Sequence, residues 1–166
     1  MSVKTLEELF IHELSDIYSA EKQLTKALPK LVRASTHPDL KEAFESHLQE
    51  TLDQVERLDQ VVEQLGIRLK RIKCAAMEGL VEEGKDVIDG VEQGPLRDVA
   101  LIAGGNKVEH YEIASYGTLI ALANQLGYDD AVPLLQVTLT EEKAADQKLT
   151  MLAKQAASQR TAEKAA

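Results

Sequence analysis

Four long stretches of this chain repeat apolar residues at intervals of three, four and seven. Near the middle of each, glutamate stands in or beside the apolar stripe: Glu21, Glu50, the pair Glu109 and Glu112, and Glu142. The periodicity requires helices that bury one face. The acids restrict what those faces bury, because an uncompensated carboxylate in an apolar interior is very costly. Several carboxylates facing one another therefore imply a compensating cation.

The first stripe is Leu6, Phe10, Ile17, Leu24, Leu28 and Leu31, which predicts a helix from about Lys4 to Arg33. Pro29 lies within it and is expected to kink or shorten the last turns. A loop over Ser35–Asp39 leads to a second helix carrying Leu40, Phe44, Leu48, Val55, Leu58, Val62 and Leu65, which Gly66 ends. From about 67 to 95 the pattern changes. Lys70, Arg71 and Lys73 form a basic patch, and a short amphipathic helix follows, anchored by Cys74 and Met77. A third long helix is expected from Pro95 to Leu126, with Ile102, Val108, Ile113, Tyr116, Leu119 and Ala123 inward. Gly104-Gly105 within it suits the close approach of a neighbour. The fourth starts near Asp129 and carries Ala131, Leu134, Leu135, Thr138, Ala145, Leu149 and Leu152. The polar, alanine-rich tail after Ser158 is expected to fray.

Two short loops and one long connection make two antiparallel hairpins joined by a crossover. The chain reads as a single all-α domain over residues 1–166, a four-helix bundle of ferritin-like connectivity with a short extra helix in the crossover. In such a bundle the helix midpoints share one height, so the carboxylates converge.

Glu109 and Glu112 are i and i+3, and project from one face of the third helix between Gly105 and Tyr116. Glu142 lies between Thr138 and Ala145, and Asp146 is four residues on, within reach of the same ligand field. Glu21 falls between Ile17 and Leu24. Glu50 is one position off its stripe, with His47 three residues before it. A lone helical glutamate is usually solvated, and His47 read alone is a surface or core residue; the argument rests on convergence. A carboxylate-rich set with little imidazole and no thiolate suits two divalent ions, iron before manganese. The expected metal set is Glu21, Glu50, Glu109, Glu112, Glu142, Asp146 and His47.

The net charge of −9 and pI near 5.0 argue against a nucleic-acid partner and an anionic membrane surface. A single cysteine excludes an internal disulfide. No signal-peptide core and no run of about 20 apolar residues is present, so the expected location is cytoplasmic.

The segments DIYSAEKQL (16–24), AMEGLVEEG (76–84), KVEHYEIASYGTL (107–119) and GYDDAVPLLQVTLTEEKAADQKL (127–149) resemble the YciF/YciE family of stress proteins over nearly the whole chain. The resemblance implies a ferritin-like fold similar to rubrerythrin, a homodimer and a role in stress responses. Rubrerythrin-type proteins carry Glu-x-x-Glu on the third helix, which Glu109 and Glu112 match. On the fourth helix their Glu-x-x-x-His is matched by Glu142, with Asp146 in place of histidine. On the second, Glu-x-x-His becomes Glu50 and Asp53. Both imidazoles of that pattern are absent, and His47 substitutes only through a different geometry. Two functions follow as expectations: a di-metal protein reacting with oxygen or peroxide, or a non-enzymatic helical dimer serving as a structural or interaction protein in stress.

Overall fold

The computed structural model describes the backbone of residues 3–165 and the side chains of residues 3–156. Five helices follow one another: α1 (Leu6–Ala34), α2 (Pro38–Leu65), α3 (Ala75–Gly90), α4 (Pro95–Leu126) and α5 (Ala131–Ala165). Among the described residues there is no strand, and no helix is long and apolar enough to cross a membrane.

Local chemistry sets the ends. The Thr5 hydroxyl accepts from Glu8 N–H at 3.1 Å and caps α1. Pro38 and Pro95 open α2 and α4, where the missing N–H costs nothing. Gly66 and Gly127 adopt the left-handed conformation (φ 60° and 71°) that closes α2 and α4. Pro29 does not shorten α1, which runs to Ala34. Burial of Leu28 and Ala34 holds the last turns in the core, and Ser35 N–H bonds Leu31 C=O to finish the helix. The segment after Ser158 continues α5 to Ala165, where fraying was expected; its side chains lie outside the described residues.

The four long helices form a ring in the order α1–α2–α5–α4, and α3 packs against α1 and α4. Every neighbouring pair in the ring is antiparallel. Gln54 and Arg57 of α2 reach Glu142 and Thr138 of α5, and Asn106 of α4 reaches Asp146 and Thr150 of α5. Asp98, in the first turn of α4, accepts from Thr36 N–H (2.8 Å), Thr36 Oγ and His37 N–H (2.9 Å) in the α1–α2 loop. The crossover therefore returns the chain to the end of the bundle where α1 stops, and α4 runs parallel to α2.

Phe10, Leu14, Ile17, Leu40, Leu58, Leu101, Leu119 and Leu135 are almost fully buried. Each such side chain contributes about 1.5–3 kcal/mol relative to exposure. Gly105 leaves no room for a side chain between α4 and α5: a Cβ there would meet Leu149 Cδ1 at 2.8 Å. Gly104 has open space instead.

Candidate metal centre

The apolar layers above and below are interrupted at mid-height by polar side chains from all four long helices. Glu21 (α1), His47, Thr51 and Gln54 (α2), Glu109 and Glu112 (α4) and Thr138 and Glu142 (α5) are all buried. His47, Glu109, Glu112 and Glu142 each offer one ligand atom, and those four atoms lie within 4.8 Å of one another. Their nearness follows from helix geometry: Glu109 and Glu112 stand one turn apart on α4, and the ring brings His47 and Glu142 opposite.

Several of these atoms have no hydrogen-bond partner in the protein. They are Glu21 Oε2, Gln54 Oε1, Glu109 Oε2, both oxygens of Glu112, Glu142 Oε2 and both ring nitrogens of His47. His47 Nε2 lies 3.4 Å from Glu109 Oε1 and 4.0 Å from Glu142 Oε2, and Nδ1 lies 3.5 Å from Glu50 Oε2. These are close electrostatic contacts without hydrogen-bond geometry. Buried polar atoms are nearly always paired, so a cluster of orphans on carboxylates and an imidazole fits a cation with oxygen and nitrogen ligands.

The electrostatics point the same way. Burial, then the charge of Glu142, pushes the Glu21 carboxyl up to about 8, against the opposing bond from Tyr116. Burial, then Glu21, Glu142 and Glu109, holds Glu112 well above the carboxylate range. Glu109 is raised by burial and then by Glu142. Burial opposes charge on His47, but the Glu50 contact and then the charges of Glu142 and Glu21 outweigh it and raise its pKa. Without a cation these acids keep their protons; with one they lose them.

The remaining residues of the expected set lie around the four. Glu21 receives Tyr116 O–H at 2.5 Å and stands on the α1 side of Glu112. The Glu50 side chain is 39% exposed, beside His47. With Ala43, Phe44, Ala145 and Lys148, it lines a cleft of about 150 Å³ between α2 and α5 that reaches His47 and Glu109. Asp146 is not among the four. It accepts from Asn106 Nδ2 at 2.7 Å and lies 3.3 Å from exposed His110 Nε2, at the edge of the α4–α5 seam. Asp53 is exposed and accepts from Gln49, while Asp16 accepts from Tyr111 O–H.

Sequence reading missed the residues that hold Glu142. Gln54 Nε2 donates to Glu142 Oε1 and, at 3.1 Å, to Glu141 Oε2. Arg57 makes a two-pronged pair with Glu141 (2.6 and 2.7 Å) and donates to Thr138 at 2.7 Å. The available signal was spacing: His47, Thr51, Gln54 and Leu58 recur at four, three and four and so share a face.

Comparison with known proteins gives this geometry a family. Residues 5–162 match the family model described as Domain of unknown function (DUF892). Protein YciF of Escherichia coli K12 is 60% identical over 154 residues, covering 92% of this chain and 93% of that protein. The crystal structure of the E. coli stress protein YciF superposes with a TM-score of 0.91 at 58% identity, covering 94% of this chain and 99% of that one. YcfI of Rhodopseudomonas palustris, a candidate structural protein, gives 0.86 at 47% identity, covering 90% and 95%. A protein from Xanthomonas campestris shares the fold, with a TM-score of 0.73 at 18% identity over 98% and 100% of the two chains.

Proposed function

The chain belongs to the DUF892 family, and from the acids at its centre we propose that it is a ferritin-like stress protein whose bundle core holds divalent metal. The observation that carries this reading is the meeting of His47, Glu109, Glu112 and Glu142 within 4.8 Å, with orphaned oxygens and ring nitrogens in a buried layer. The stress role comes from the relative described as a stress protein.

The four residues would hold one ion, and Glu21 beside Glu112 and Glu50 beside His47 could contribute to a second. Asp146 acts from outside, through its charge on Glu109. Iron is put before manganese in this reading; three carboxylates with one imidazole suit either ion. Such ions supply redox chemistry toward dioxygen or peroxide. The chain's own residues neutralise the ions, and Gln54 and Tyr116 orient Glu142 and Glu21. The α2–α5 cleft lets a small oxidant reach Glu109. The reading includes a cytoplasmic homodimer.

A second reading is a non-enzymatic structural dimer. It is favoured by the donors that Gln54 and Tyr116 already give these acids, and by the structural role suggested for the R. palustris relative. The test is elemental analysis with an optical spectrum on protein purified without chelator and after reconstitution with Fe(II) or Mn(II). The metal reading expects bound iron or manganese that is lost in Glu109→Gln/Glu112→Gln. Protein that stays metal-free after reconstitution favours the structural reading.

A further inference from the structure

The basic patch takes no part in the metal centre, yet the fold builds it into a defined shape. Residues 67–74 form an irregular strap that runs along the outer side of α1. Its register is pinned by Lys70 N–H to Ser15 Oγ (2.9 Å), Cys74 N–H to Ser19 Oγ (2.9 Å) and Gln23 Nε2 to Cys74 C=O (3.1 Å). Ile67 and Leu69 are half-buried against the core and anchor it. Between strap and helix lies a cleft of about 640 Å³. Lys22 and Lys26, one turn apart on α1, line one wall; Lys70, Arg71 and Lys73 line the other.

Five of the chain's 19 basic residues thus line one cleft, and no acidic residue lines it. Among the described residues, Lys73 pairs with exposed Glu78, whereas Lys22, Lys26, Lys70 and Arg71 make no ion pair. Lys22 Nζ sits 5.9 Å from the centre of the Tyr18 ring. Tyr18 itself faces Asp59 of α2. In a chain of net charge −9, these five basic side chains make a local positive patch against the overall charge.

We propose that this cleft is a binding site for a small anion carrying two or more linked phosphate groups. The cleft is shallow and open to solvent, with room for a compact, hydrated anion. Two facing rows of cations match a chain of phosphates better than a single charge, and Arg71 adds a guanidinium suited to phosphate oxygens. The strongly acidic remainder of the molecule repels an extended duplex but leaves room for a compact ligand.

The test is calorimetric titration of the full-length chain with sodium tripolyphosphate at low ionic strength. Orthophosphate and a short DNA duplex serve as alternative probes. The site predicts saturable binding of tripolyphosphate, at least about tenfold tighter than orthophosphate and weakened by salt. Lys22→Gln/Lys70→Gln/Arg71→Gln should weaken it at least about tenfold without moving the melting temperature. Lys107→Gln, which removes an exposed lysine on α4, should leave it unchanged. Treating the protein with chelator beforehand should also leave it unchanged, because the cleft lies outside the bundle core. Equal affinity for orthophosphate, tighter binding of DNA, unaltered binding by the triple variant, or loss after chelator treatment each overturns the proposal.

Discussion

Tyr116 of α4 donates its phenolic hydrogen to Glu21 Oε1 of α1 at 2.5 Å, across the centre of the bundle, with both side chains fully buried. The bond ties the two hairpins together at the height of the four clustered ligands. It is the one hydrogen bond Glu21 receives there, since Oε2 has none. Tyr116→Phe keeps the ring and removes the donor. The metal-free variant should lose about 1–3 kcal/mol, the usual cost of orphaning a buried acceptor, measured by urea unfolding.

Replacing Glu109 and Glu112 together by Gln should act oppositely in the two states of the protein. In metal-free protein the double variant removes two carboxyls that burial, and then the charges of Glu21 and Glu142, make costly to ionise there, and it should melt higher than the parent at neutral pH. In the presence of Fe(II) or Mn(II) it should melt lower than the parent, because the parent alone gains binding energy. Differential scanning calorimetry with and without metal reads both.

Stability of the metal-free protein should fall as pH rises. Glu21 has an ordinary value of 4.5 and a folded value of about 8. Below 4.5 both folded and unfolded chains hold its proton, and the contribution of Glu21 to stability is at its full value. Between 4.5 and about 8 the unfolded chain has released a proton that the folded chain retains, so stability drains away. Glu109, Glu112 and His47, all raised, act in the same sense. Denaturant midpoints measured across this range should decrease steadily. Metal should bind more tightly at the upper end, with proton release on binding.

The two adjacent glycines of α4 should respond differently to alanine. Gly104→Ala meets no neighbour and removes a helix-interior glycine, so it should stabilise by about 0.5–1 kcal/mol. Gly105→Ala drives a methyl into the tip of buried Leu149, which must move within the packed core, and should destabilise by about 1–3 kcal/mol. Paired thermal melts decide it.

Asp98 fastens the start of α4 to the α1–α2 loop through three donors. Asp98→Ala should cost about 2–4 kcal/mol, since it removes charge-assisted bonds and strands two backbone N–H groups. Chemical denaturation would show a smaller midpoint with an unchanged slope.

The helices were legible because apolar spacing and end signals agreed. Pro95, Gly66 and Gly127 fall at the boundaries they announce. On α2 the apolar stripe held at Leu40, Phe44, Val55 and Leu58 and strayed by one position at Leu48 and Val62. Leu48 and Val62 are only half-buried, while His47, Thr51 and Gln54 face the core. A stripe drawn through apolar residues alone cannot find a face made polar by its site. That offset also explains why Glu50 stands at the rim and His47 at the centre. Asp98 was illegible for another reason: its partners are 61 and 62 residues away, and nothing in its own helix signals them.

The most direct measurement is anomalous X-ray scattering from crystals of the chain reconstituted with Fe(II) or Mn(II). The account predicts a strong anomalous peak within bonding distance of His47, Glu109, Glu112 and Glu142, with any second peak flanked by Glu21 or Glu50. No peak there in fully reconstituted protein, with the four side chains keeping their present contacts, would contradict it.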